Sequence, residues 1–163
     1  FGEDSRLTVG EKLKSYGATT ALLLYDMAMD QFGYQREIEK VINDANIKVV
    51  CYQVEEGEPT AQKSDRAYDF AKDKSVDAIV AIGGGSTMDT GKMVGKLLAN
   101  GGKTRDYQNN PCIGNTVFRP LIALPSTAGT GAELTPYLTC ATEDGKKAVL
   151  PIRLLPVRSS TLC

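Results

Sequence analysis

The sequence predicts an α/β fold built on a doubly wound parallel sheet, and three observations carry that expectation. Short apolar runs alternate with longer amphipathic segments along the chain. The runs are apolar throughout rather than at every second residue, as strands covered on both faces require. Three consecutive glycines, Gly83 to Gly85, stand between one such run and a helix-period segment.

Each element follows from its local pattern. "SRLTVGEKLKSY" places Val9, Leu13 and Tyr16 at helical spacing, with Ser5 as an expected N-cap and Gly17 as a stop. "TTALLLYD" reads as a strand ending at Asp26, and "YQREIEKVINDAN" sets Ile38, Val41, Ile42 and Ala45 on one helical face. "IKVVCYQV" is the second strand and "TAQKSDRAYDFAKDK" the next helix. "DAIVAI" is the third strand, the glycines follow, and "STMDTGKMVGKLLAN" is a helix. "PLIALP" gives a fourth strand. The expectation is that 20–25, 47–52, 77–82 and 120–124 pair in parallel in one sheet.

Composition narrows the function. The 163 residues are 42% hydrophobic and 24% charged, ordinary values for a globular chain. With 19 basic and 20 acidic residues and no like-charge block, neither nucleic acid nor an anionic membrane is implied as a partner. No apolar run approaches the roughly 20 residues that span a bilayer, so a cytoplasmic protein is the default expectation. Cys51, Cys112, Cys140 and Cys163 form no C-x-x-C pair, and Cys51 reads as a small core residue. Histidine is absent, which excludes a Ser-His-Asp triad, a histidine metal site and a histidine base within this chain. The ends at Phe1 and Cys163 suggest a fragment.

In a doubly wound sheet, ligands sit at the carboxyl ends of the strands. Asp26, the glycines and the segment after Leu124 fall on that edge. Glycine lets the backbone approach a ligand closely, and a helix N-terminus offers unpaired N–H groups to a pyrophosphate. Gly83, Gly84, Gly85 and Ser86 are therefore the expected phosphate seat. Met88 stands where a G-x-G-x-x-G fingerprint would need glycine, and no G-K-[ST] follows, so these residues alone leave the cofactor open. Ser86 and Asp89 form an S-x-x-D pair that reads equally as a capping box or as a ligand contact, with Lys92 one turn on as a partner for Asp89. "ALPSTAGTGAELT" adds a second glycine-bearing loop with Ser126, Thr127 and Thr130. Asp26 can accept from a ribose diol or cap a helix. As a ribose ligand it would repel an extra phosphate by about 4 kcal/mol at ~4 Å before salt screening, which favours NAD over NADP.

"GGGSTMDTGK" resembles the GGGS-x-x-D-x-x-K motif of the iron-containing (group III) alcohol dehydrogenases, and "LPSTAGTGAELT" resembles their P-T-T-A-G-T-G-S-E-x-T motif. The opening "FG" and "EPT" at 58–60 fit the same family, and the likeness covers roughly residues 1–150. It implies a Rossmann-like domain at 1–150 that binds NAD or NADP, and a helical second domain holding Fe2+ or Zn2+ on one aspartate and three histidines. It implies hydride transfer between a primary alcohol or aldehyde and the nicotinamide; a homo-oligomer is compatible with it. Cofactor contacts then fall on Asp26, Gly83, Gly84, Gly85, Ser86, Asp89, Ser126, Thr127 and Thr130, with Thr135 or Thr139 and Lys147 (or Lys146) beside them. Ser126 and Ala132 replace the family's threonine and serine, and Glu58 stands where asparagine usually precedes Pro59. Residues 151–163 depart from the family pattern, and the metal ligands lie in the part expected to be missing. A non-catalytic nucleotide-binding module and phosphoryl transfer are the competing readings. For the second of these, Gly85 stands where G-G-D-G proteins carry the acidic residue.

Overall fold

A computed structural model describes residues 4–110, 119–142 and 144–151, and the backbone of 158–159. The parallel sheet is present. Strands β1 (Thr20–Tyr25), β2 (Lys48–Gln53), β3 (Ala78–Gly83) and β4 (Leu121–Pro125) each lie within a residue of the expected span. The order is β2-β1-β3-β4-β7, where β7 is Arg158–Ser159, and every pairing in it is parallel. β7 lies past the expected boundary at residue 150. Cys112 and Cys163, the opening "FG" and most of the expected tail lie outside the described residues.

Alternate residues of the strands feed two separate cores, which is why the runs had to be apolar throughout. On one face Leu22, Leu24, Ile79, Ala81 and Ala123 pack with Ala67, Ala71 and Val94 from helices α4 (Ala61–Ala71) and α5 (Gly85–Asn100). On the other, Ala21, Leu23, Val80, Ile82 and Ile122 meet helices α1 (Val9–Ser15) and α3 (Tyr34–Asp44). Val9 and Leu13 of α1 and Ile38 and Ile42 of α3 are fully buried there. Helix α5 lies close to the sheet. A Cβ on Gly91 would stand 3.1 Å from the Ala81 Cβ, and one on Gly95 would stand 3.1 Å from Ile79.

Two expectations are corrected in detail and one holds. Ser5 opens a 3₁₀ turn, Ser5–Thr8, and Thr8 occupies the position before α1, so Ser5 is not the cap of that helix. Gly17 does stop α1: at φ +71° it donates to Lys14 O while Ala18 donates to Leu13 O, the paired bonds of a Schellman end. Cys51, on the edge strand β2 beside Gln35, packs against the second core but is only half-buried, with its thiol pushed up to about 11 by burial and by Glu39.

The chain also forms elements outside the alternating pattern. A short helix α2 (Met27–Gln31) follows β1, and α6 (Thr104–Asn109) follows α5. Strands β5 (Tyr137–Ala141) and β6 (Lys147–Pro151) form an antiparallel hairpin. Leu138, Cys140 and Leu150 on one hairpin face pack with Met93, Leu97 and Tyr107 as a third core, which docks the hairpin on α5 and α6. Among the described residues no helix is long and apolar enough to cross a membrane.

Candidate functional site

Strand order reverses between β1 and β3, since the chain runs outward from β1 to β2 and then returns to the other side. The crevice at the carboxyl ends of those two strands is where such sheets take ligands. Asp26 and the glycine turn occupy it. Asp26 caps α2, its Oδ1 accepting the Met29 N–H at 3.1 Å. Its Oδ2 accepts the Gly84 N–H at 3.1 Å and lies 3.5 Å from Thr87 Oγ1. The helix-cap reading of Asp26 is thus present, together with a second bond into the glycine turn.

The turn itself explains its glycines. Gly83 has φ +148°, and a Cβ there would sit 2.3 Å from Asp26 Oδ2. Gly84 takes the position before α5, and Gly85 begins the helix. The Gly85 and Ser86 N–H groups therefore lie in the first turn, with no preceding helical carbonyl to meet. A Cβ on Gly85 would come within 3.1 Å of Thr130, so the second loop packs directly over the first. Ser126 N donates to Gly83 O at 2.9 Å, joining the same two loops at the strand ends.

Of the two readings of Ser86 and Asp89, the capping box does not form, because the cap falls two residues earlier, at Gly84, with no side-chain cap bond. Asp89 turns instead toward the hairpin. Its Oδ2 accepts the Thr139 N–H at 2.9 Å, and its Oδ1 takes Lys92 Nζ at 3.1 Å. Lys92 Nζ also donates to Thr135 Oγ1 at 3.2 Å and to Tyr137 O at 2.7 Å, so all three of its protons are used. The pair is sheltered, with side chains 0% and 13% exposed. Burial pushes the Asp89 carboxyl above its ordinary range and pulls the Lys92 ammonium below its own, each opposed by the partner's charge.

Between α5 and the hairpin lies a cleft of about 730 Å³. Gly85, Ser86, Asp89 and Thr130 line one side, and Thr135, Thr139 and Lys147 another. Asp26, Gly83 and Gly84 lie at the strand ends and are not among the residues that line the cleft. Thr127 sits over Gly84, 3.7 Å from where its Cβ would be, and Ser126 and Thr127 are exposed. Lys146 pairs with Asp144 and is not among the cleft residues. Glu58, Tyr137 and Val149 also line the cleft and were not expected there. The signal for Tyr137 was available: "YLTCA" alternates, sending Leu138 and Cys140 inward and Tyr137, Thr139 and Ala141 to the cleft.

The family model of the iron-containing alcohol dehydrogenases matches residues 1–158. The chain belongs to that family. It is 35% identical over 152 residues to the NAD-dependent methanol dehydrogenase of Bacillus methanolicus, covering 93% of this chain and 39% of that one. The crystal structure of 1,3-propanediol oxidoreductase superposes with a TM-score of 0.87 at 27% identity, covering 99% of this chain and 43% of the other. The fold is shared too with the sulfoacetaldehyde reductase of Bifidobacterium kashiwanohense, solved in complex with NAD+, at a TM-score of 0.88 and 21% identity, over 99% of this chain and 43% of that one. The chain therefore spans well under half the length of these relatives.

Proposed function

We propose that this chain is the cofactor-binding part of an NAD-dependent alcohol dehydrogenase acting on a primary alcohol or aldehyde, with residues 1–150 as its dinucleotide-binding domain. The observation that carries the reading is the open first turn of α5 facing a cleft walled by Thr130, Thr139 and Lys147. Two N–H groups at a helix N-terminus and one ammonium suit a pyrophosphate. The glycine turn leaves room for it, since no side chain projects from Gly84 or Gly85 into that approach. Asp26, bonded to Gly84, is the residue we assign to the ribose diol, and its negative charge would favour NAD over NADP.

When bound, the nicotinamide supplies the hydride acceptor. This chain's residues orient it: Gly85 and Ser86 fix the phosphate, and Lys92 holds the hairpin that forms the opposite wall. The residues described here do not fit the iron of the family's name. Among them no three His, Cys, Asp or Glu side chains gather as a metal site, and the sequence contains no histidine. For the 163 residues taken alone, that same composition favours a second reading, nucleotide binding without turnover. Calorimetric titration of the chain with NAD tests the cofactor site. Saturable 1:1 binding is expected, and no heat of binding at millimolar NAD would refute it.

A further inference from the structure

Three charged side chains line the cleft: Glu58, Asp89 and Lys147. Asp89 is already matched by Lys92 and the Thr139 N–H. Glu58 and Lys147 are matched by each other, carboxylate to ammonium at 2.7 Å. Among the described residues Lys147 is the sole cation in the cleft lining. Its charge is thus held by a carboxylate in the structure without ligand.

The backbone fixes both partners. Gly57 turns at φ +90°, and Lys63 Nζ donates to Glu56 O and, at 3.0 Å, to Glu58 O. Ala141 N donates to Pro59 O at 2.8 Å, and Ala141 faces Lys147 in the hairpin register. The ion pair therefore joins the turn before α4 to the first residue of β6. Both side chains remain about three-fifths exposed, 60% for Glu58 and 62% for Lys147. An exposed pair of this kind is weak and exchanges readily with other ions.

We propose that Glu58 sets the affinity of the cleft for anionic ligands: it holds the Lys147 ammonium, and the pyrophosphate of a dinucleotide must take Lys147 from it. The proposal rests on the reading of the cleft as a dinucleotide site. Removing the carboxylate then strengthens ligand binding, although it deletes a contact seen in the structure. Relief of direct repulsion between Glu58 and the anion does not need Lys147, so the share of the gain that depends on Lys147 is what the proposal rests on.

The test titrates the 163-residue chain with NAD and, separately, with inorganic pyrophosphate at low salt. The proteins are the parent chain, Glu58→Gln, Lys147→Gln and the double variant, each first shown to have the parent's circular dichroism. Glu58→Gln is expected to bind both ligands about two- to fivefold more tightly, the range of an exposed ion pair. The gain is smaller in the Lys147→Gln background than in the parent, by the part that passes through Lys147, and it shrinks in ~0.5 M salt. Unchanged or weaker binding by Glu58→Gln overturns the proposal, as does a gain of undiminished size without Lys147. If NAD binds the parent and Glu58→Gln alters nothing, the role of Glu58 alone fails. If neither ligand binds the parent or Glu58→Gln, the cofactor reading fails with it.

Discussion

The Asp26 carboxylate accepts the Gly84 N–H, so the end of β1 is tied to the turn that follows β3. One side chain thereby caps α2 and shapes the proposed phosphate seat. Asp26→Ala removes both bonds, and a loss of about 1–3 kcal/mol in urea unfolding is expected. Calorimetry on Asp26→Gly should show a smaller preference for NAD over NADP than in the parent. An undiminished preference would remove Asp26 from the ribose site.

Gly83→Ala meets two obstacles at once, a φ of +148° and the Asp26 oxygen 2.3 Å from the new Cβ. The glycine turn must shift, and the helix start with it. The expected result is a stability loss of about 1–3 kcal/mol together with weakened NAD binding. A variant with the parent's unfolding midpoint and NAD affinity would contradict this account of the turn.

Lys92→Met leaves the Asp89 carboxylate sheltered without its cation and cuts two bonds to the hairpin segment. Breaking one side of a buried pair costs about 3–5 kcal/mol. Amide hydrogen exchange should accelerate at Leu138 and Cys140 before it does in β1 and β3, because the hairpin loses its tie to α5 first. Uniform acceleration across both sheets would show that Lys92 supports the whole fold rather than this wall.

Asp77 gives the sheet a pH-dependent tie. Burial works against its charge, but the Thr19 hydroxyl and the Thr19 and Thr20 N–H groups outweigh it and hold the carboxyl below its ordinary 3.8. A depressed folded value means stability that is full above pH 3.8 and lost as pH falls through the folded value. Asp77→Asn should therefore destabilise the chain at neutral pH and flatten the acid limb below pH 3.8. An acid limb identical to the parent's would assign the transition to other carboxylates.

The parallel strands were legible because burial on both faces demands runs such as "ALLLY" and "AIVAI", which few other environments produce. Helix α3 was legible from Ile38 and Ile42, whose spacing fixes its inner face. Helix α2 was not, since five residues with Met29 alone buried carry no period. The S-x-x-D pattern misled for a local reason: glycine, with no side chain to cap with, took the cap position, and Ser86 fell inside the helix. The Lys92–Asp89 pair could be read from an i,i+3 spacing, but its burial could not. A lysine on a helix looks the same in sequence whether it faces water or the underside of a hairpin.

Gly91 and Gly95 let α5 rest against Ala81 and Ile79 with no side chain between. The helix cannot drop nearer to the sheet, and a larger residue at either site would lift it away. The height of its first turn above the strand ends is thus gauged by the middle of the helix, about two and three turns beyond Gly85. Drift in sequence at these interior positions would detune the proposed phosphate seat though its own residues had not changed at all.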